Sequence, residues 1–335
     1  MTQLGELRDA YPKFLDAGIA LYAISYDDPQ ILSEFASAHQ IPYPLLSDVD
    51  SRVIRAFGIL NDQVKPGDGP LYGIPYPGTY ITDEHGVVIE KSFHDTYKRR
   101  ASAESLIDAA LGQILLGGDE PQAAGGDGEI RVSAHFRGGP IKQGATRHVV
   151  VRFELPEGLH IYGDPVPEGM LPTRVSVEGP EGLVVEPAIL PPTQPLPLES
   201  LGLVLPVWSG RVDIRVPVYA LSALASECHP LEQRSATLEV TVRYQACDDR
   251  TCLLPRSEVL RLEVPIEEVE VPAISLHMGH GQKEARFDGE PHLRRLMLRK
   301  IRRHPLGFLR FLANSLRLEW AARRRRRSAA RDQKR

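Results

Sequence analysis

Six stretches between residues 129 and 270 carry the pattern of β-strands: IRVSAHF, RHVVVRFEL, TRVSVEG, GRVDIRVPVYAL, ATLEVTVRYQA and SEVLRLEVPI. Each alternates or runs apolar, and Gly- and Pro-rich segments such as LPPTQPLPLES lie between them. No helical period interrupts the series. Short strands of this kind bury their apolar faces by stacking two antiparallel sheets, so residues 129–270 are predicted to be an all-β sandwich.

The segment from residue 1 to 116 reads differently. LGELRDAYPKFLDAG has apolar residues at helical spacing and ends in Gly18. IALYAISYD is a short apolar run closed by Asp27, Asp28 and Pro29, the mark of a buried parallel strand. PQILSEFASAHQI reads as a helix with Pro29 at its first position. IPYPLLSDVD reads as extended and SRVIRAFGI as a short helix. GTYITDEHGVVIEKSF reads as a hairpin turning at Asp83–Gly86, and SAESLIDAALGQIL as a closing helix. Alternating strands and helices predict a layered α/β domain. Residues 117–128, GGDEPQAAGGDG, read as a flexible linker to the β-rich segment. The chain opens on MTQLGELRDAYPKF, which reads as the middle of a domain.

A length of 335 residues fits two domains, with 42% hydrophobic and 25% charged residues typical of globular material. No run approaches 18 apolar residues, and no basic and apolar leader opens the chain. The charge is unevenly spread. Residues 293–335 hold 16 of the 40 Lys and Arg but 2 of the 44 Asp and Glu, so an acidic body carries a basic tail over 271–335. Within that tail Leu309, Leu312, Leu316 and Trp320 fall on one helical face, and Leu298 and Ile301 continue a face before Pro305. A basic amphipathic helix of this kind suits an anionic membrane surface, and a solvated or docked tail is the plainer reading. Binding to nucleic acid is the least favoured of the three.

Two of only three cysteines, Cys247 and Cys252, flank the four residues DDRT between two strand-like runs. At the mouth of a hairpin both side chains come within disulfide reach. Three readings remain open on these residues alone. A structural staple would constrain so short a loop by only about 2 kcal/mol. A zinc site would need further ligands, with Cys228 and His229 the remaining local donors. A redox pair would exploit the ready exchange of a small exposed disulfide.

The ACDDRTCLLP hairpin, following GLHIYGDP in an all-β segment, resembles the N-terminal domain of the thiol:disulfide interchange protein DsbD, an immunoglobulin-like fold. The resemblance implies that Cys247 and Cys252 cycle between dithiol and disulfide and pass electrons to thioredoxin-like or other dithiol partners. Tyr162 and Asp164 lie in the segment that resembles the family's HIY motif, and Tyr162 is read as a substrate-positioning residue. Cys228 lies outside the motif and reads as a small buried hydrophobe.

ELRDAYPKFLDAGIALYAISYDDPQILSEFASAHQIPYPLLSDVD, followed by IPYPGTYITDEHGVV, resembles the redoxin and AhpC/TSA (peroxiredoxin-like) group of the thioredoxin fold. The resemblance implies a reactive cysteine at the start of the first helix, where the dipole and free N–H groups favour thiolate. No cysteine stands at that position here, so two expectations follow: the true start lies upstream, with a strand and a CxxC or TxxC motif, which is the favoured one, or the domain has lost its catalysis. The resemblance also implies that Pro77 is a cis-proline that positions substrate.

The combined expectation is a thiol–disulfide oxidoreductase or peroxiredoxin-like antioxidant. An incomplete thioredoxin-like α/β domain (1–116) is followed by a linker (117–128), an immunoglobulin-like sandwich (129–270) and a basic helical tail (271–335). No metal or organic cofactor is implied, and HMGH at 277–280 reads as linker. The rival expectation is a non-enzymatic binding or scaffold protein with a structural hairpin disulfide. The chain as it stands suits the cytosol, and the periplasm if an exported segment precedes it.

Overall fold

The change of pattern along the sequence corresponds to a change of fold. The computed structural model describes residues 2–65, 72–93, 99–126, 129–198, 202–225, 234–248, 251–267, 297–302 and isolated positions from 305 to 320. The chain divides into two units, one of Met1–Arg100 together with Val269–Arg335 and a second of Ala101–Glu268.

The first unit is α/β. Its elements are α1 (Thr2–Asp9), α2 (Tyr11–Asp16), β1 (Ala23–Ser25), α3 (Pro29–His39), β2 (Leu45–Ser47), α4 (Arg52–Ala56), β3 (Gly78–Thr82) and β4 (Val88–Phe93). The single helix expected over LGELRDAYPKFLDAG is two, because Pro12 sits in the first turn of α2 and cannot continue the α1 ladder. β1 and β2 pair in parallel, Ile24 opposite Leu46, with α3 as the crossover. Pro29 opens α3 as predicted, and Asp28 caps it by accepting from the Gln30 N–H at 2.9 Å. The SDVD turn has a clear purpose. The buried Asp48 carboxylate accepts from the N–H groups of Arg52, Val53 and Ile54, satisfying the first turn of α4. β3 and β4 form the predicted hairpin, and Asp83 Oδ1 accepts from the N–H groups of His85 and Val87 in its turn.

The second unit contains α5 (Ala103–Leu111), β6 (Gln122–Gly126), β7 (Arg131–Arg137), β8 (Ala145–Glu154), β9 (His160–Tyr162), β10 (Arg174–Glu178), β11 (Leu183–Val185) and β12 (Gln194–Leu198). It continues with β13 (Leu203–Ser209), β14 (Arg211–Ala220), β15 (Ser235–Tyr244), β16 (Ala246–Cys247) and β17 (Arg256–Pro265); β5 (Arg100–Ala101) lies at the division between units. One sheet has the order β11-β14-β8-β7-β6, a second β10-β15-β17, and a third β12-β13-β9-β16. Val149, Val151 and Phe153 of β8, Ile214 and Val216 of β14, Leu238 and Val240 of β15, and Leu262 and Val264 of β17 form one buried cluster between the first two sheets. Each such side chain contributes on the order of 2 kcal/mol by leaving water. The six strands read from sequence are β7, β8, β10, β14, β15 and β17.

Two expectations about residues 101–128 need correction. The helix SAESLIDAALGQIL forms as α5 but belongs with the sandwich. Ser105 Oγ lies 2.8 Å from His148 Nδ1, Asp108 takes both Nε and Nη2 of Arg137, and Arg152 Nη2 donates to the Ile114 carbonyl. Residues 117–128 are also more than a linker, since Gln122–Gly126 pair along β7. The glycines are required there. A Cβ on Gly125 would lie 2.3 Å from Glu258 Oε2, and one on Gly126, at φ +104°, would lie 2.1 Å from the Ile130 carbonyl. The Gly126 N–H donates to that same Glu258 carboxylate at 2.7 Å.

No described helix is long and apolar enough to cross a membrane. Cys228, His229 and the HMGH stretch lie outside the described residues, as does most of the basic tail. Among the tail positions that are described, Leu309, Leu312, Leu316 and Trp320 are exposed.

The Asp108–Arg137 pair has both side chains at or below 7% exposure, so its removal has a large expected effect. Asp108→Ala is expected to destabilise the sandwich by about 3 kcal/mol, because Arg137 keeps only Glu120 as a carboxylate partner. Asp108→Leu with Arg137→Met is expected to lose far less. Denaturant unfolding followed at Trp208 measures both. A second prediction concerns pH. Burial, and next the charge of Arg215, push the His148 imidazole down to about 4. The unfolded chain, with the ordinary value near 6.5, therefore binds the proton more readily. Stability is fully present above about pH 6.5 and falls as pH drops towards 4, by about 3 kcal/mol. His148→Gln should flatten that interval, and an unchanged slope would refute the assignment.

Candidate functional site

The third sheet builds the site. β9 lies between β13 and β16, with Tyr162 opposite Val207, Ile161 opposite both Trp208 and Ala246, and His160 opposite Cys247. The HIY tripeptide is buried throughout. It therefore acts as an interior rung that fixes the register of the two-residue strand carrying the first cysteine. The hairpin β12–β13 completes this sheet. Pro195 and Pro197 are tolerated because β12 is its edge strand.

Cys247 and Cys252 are joined as a disulfide, with their Cα atoms 4.1 Å apart. The residues between them are held by turn chemistry: the Asp248 N–H donates to the Thr251 carbonyl at 3.0 Å, and the Thr251 N–H to Asp248 Oδ1 at 2.5 Å. Asp249 and Arg250 lie outside the described residues. The two sulfur-bearing residues differ sharply in environment. Cys247 is 1% exposed and packs with Tyr162, Leu205 and Val207, with Val166 and Met170 against the same cluster. Cys252 is exposed.

Tyr162 reaches the pair. Its hydroxyl lies 3.7 Å from Cys252 Sγ, and with both sulfurs in a disulfide the phenol is the donor. Burial pushes the Tyr162 pKa up, so the hydroxyl keeps its proton at neutral pH. The structure thus brings together Cys247, Cys252 and Tyr162. Asp164, two residues beyond, is drawn away to a surface ion pair with Arg174, whose Nη2 donates to Asp164 Oδ1 at 2.9 Å.

Pro77 belongs to the first unit. Among the described residues the one cis peptide bond is Asp164–Pro165, so Tyr76–Pro77 is trans and the cis-proline expectation does not hold. The neighbouring segment explains the conformation. Leu60 bridges Pro75, and the Tyr76 N–H donates to the Ile59 carbonyl, which makes 74–76 an extended partner of 59–61.

Gln245 was not singled out from sequence, yet it touches both sides of the site. Its Nε2 donates to the Leu253 carbonyl and its Oε1 accepts from the Leu171 N–H, each at 3.1 Å. It lies in a run of four buried residues, Tyr244–Cys247. The available signal was a buried-type position held by an amide between Tyr244 and Ala246, because a buried amide needs partners.

Comparison with known proteins agrees with this division. Residues 1–91 match the family model described as AhpC/TSA family, and residues 132–264 match that of the thiol:disulfide interchange protein DsbD, N-terminal. Chloroplastic peroxiredoxin Q of Arabidopsis thaliana is 42% identical over 82 residues, covering 24% of this chain and 34% of that protein. The same-named protein of Suaeda salsa is 37% identical over 105 residues, covering 31% and 43%. The chain therefore spans about a third of the length of the first of these relatives. The N-terminal periplasmic domain of ScsB from Proteus mirabilis aligns at 12% identity and TM-score 0.30, covering 43% of this chain and 51% of that one. The reduced N-terminal domain of Neisseria meningitidis DsbD aligns at 14% identity and TM-score 0.23, covering 46% and 96%. The chain thus joins a thioredoxin-like segment that matches the AhpC/TSA family, residues 1–91, to a β-rich segment that resembles the DsbD N-terminal domain, residues 132–264.

Proposed function

We propose that Cys247 and Cys252 are a working redox couple that exchanges two electrons with thioredoxin-like dithiol proteins. The observation that carries this reading is the unequal exposure of the two cysteines, one sulfur-bearing residue open to a partner and the other packed in the sheet. Both family matches also support thiol–disulfide chemistry. Residues 1–91 contain no cysteine, so the proposal rests on the hairpin.

In the reducing direction a partner thiolate attacks Cys252 Sγ. The Cys247–Cys252 bond breaks, and Cys247 leaves with the electron pair as a thiolate. The partner's second thiolate then attacks the partner sulfur of the mixed disulfide and releases Cys252. Both hairpin thiolates take protons from solvent. The pair ends as a dithiol and the partner as a disulfide. The Tyr162 hydroxyl favours this course by donating to Cys252 Sγ as negative charge develops there. The reverse sequence oxidises the hairpin, and the partner's potential sets the direction.

The test uses a Cys228→Ser background. Cys247→Ala should form a mixed disulfide with the oxidised, disulfide form of a thioredoxin-type protein, its Cys252 thiolate attacking one partner sulfur while the other leaves as thiolate, and its exposed Cys252 should label readily with an aromatic disulfide. Cys252→Ala should label at least about ten-fold more slowly, since the remaining thiol is buried. A hairpin potential far below about −300 mV would instead identify a structural staple.

The basic tail is proposed to add contact with anionic membranes, supported by the exposure of Leu309, Leu312, Leu316 and Trp320. Flotation with vesicles containing anionic lipid should fall on deletion of residues 290–335, and equal flotation would remove the idea.

A further inference from the structure

Leu253 follows the exposed cysteine and is held at both of its backbone polar groups. Its N–H donates to the Ala246 carbonyl at 2.8 Å, and its carbonyl accepts from Gln245 Nε2 at 3.1 Å. Both partners immediately precede Cys247 in sequence. The chain leaving Cys252 is therefore fastened to the chain entering Cys247 by bonds that do not involve sulfur. The Gln245 side chain is 8% exposed as a residue, so water competes weakly for this contact. Its other end accepts from Leu171, beside Met170, which packs against the Tyr162–Cys247 cluster.

We propose that Gln245 is a positioning residue of the redox pair, holding the mouth of the hairpin closed when the disulfide opens. The inference rests on the exchange reading above and adds a device to it. A dithiol whose sulfurs stay adjacent loses less freedom on closing, so the clamp raises the effective concentration of Cys247 at Cys252. The relevant step is ring closure. The Cys247 thiolate attacks Cys252 Sγ in a Cys252–glutathione mixed disulfide, the protein disulfide forms, and glutathione leaves as thiolate. Over the full reaction one oxidised glutathione is reduced to two thiols while the protein dithiol loses two electrons and two protons.

The experiment equilibrates the full chain, carrying Cys228→Ser, with mixtures of reduced and oxidised glutathione and reads the fraction of hairpin disulfide. Gln245→Ala is expected to lower the equilibrium constant for disulfide formation by about five-fold, the net worth of one hydrogen bond. That raises the reduction potential by about 20 mV at 29.6 mV per ten-fold. Gln245→Glu keeps an acceptor for the Leu171 N–H but offers the Leu253 carbonyl no donor when ionised, so it should fall as far. Gln245→Asn, with a shorter amide, should fall less than either. Trp208 fluorescence confirms that each variant is folded, and a purely structural role would move unfolding without moving the constant. Constants equal to wild type in the alanine and glutamate variants would overturn the clamp alone. A wild-type hairpin that stays oxidised across the whole glutathione range would overturn the exchange reading, and this inference with it.

Discussion

The register of β9 against β13 and β16 is the constraint on which the cysteine site depends. Three residues, His160–Tyr162, hydrogen-bond to strands on both sides and are buried. Because side chains alternate along a strand, one residue of slip would send Tyr162 to the other face and move Cys247 off its rung opposite His160. Trp208 helps fix that register. It stands opposite Ile161 at 5% exposure, with its indole N–H donating to the Pro191 carbonyl at 3.0 Å. The position of the sulfurs is thus inherited from packing several residues away.

The rest of the unit holds this sheet through polar and apolar means together. Phe153 and Tyr244 meet edge to face at 5.3 Å inside the main cluster, and the Tyr244 hydroxyl donates to Glu258 Oε1. The other oxygen of Glu258 accepts from Gly126. One carboxylate therefore fastens the edge strand β6 to β15, the strand that ends three residues before Cys247. On the outer face of β7 and β8, Arg137 and Arg152 are paired with Asp108 and Asp213 and hold residues 108–114 against the sheet. Such buried ion pairs add little net stability, because desolvation offsets attraction, but they penalise alternative arrangements of α5 strongly.

The long strands were legible because their apolar period is clean over ten residues, as in β15, where alternate residues from Ala236 to Tyr244 are buried. The cysteine hairpin was legible from composition and spacing. What escaped was short or glycine- and proline-rich. β6 is QAAGG, a sequence that reads as linker until the Glu258 carboxylate and the Ile130 carbonyl are seen to leave no room for a Cβ. β12 is QPLPL, which reads as loop because proline lacks a ladder donor, and only its edge position explains it. The placement of α5 had one sequence trace. HVVVRF lacks alternation, and Val149, Val150 and Val151 are all at or below 1% exposure, so β8 is covered on both faces. A one-sided sandwich sheet would have shown a polar residue at Val150.

The two cysteines of the disulfide differ in their surroundings. Cys247, a residue 1% exposed in an apolar cluster, is poorly placed to meet a partner, and burial disfavours a thiolate. A sulfur on the exposed limb of the same hairpin, within reach of a phenol donor, has access and a group to stabilise charge. The tight loop keeps the buried sulfur beside the exposed one whichever partner arrives. On the proposed exchange reading, intramolecular closure then competes with partner attack without a change of fold. The sandwich supplies this asymmetry through the β9–β16 rung, and that rung exists because His160–Tyr162 is interior. The chain of dependence therefore runs from a buried tripeptide to the placement of the two sulfurs.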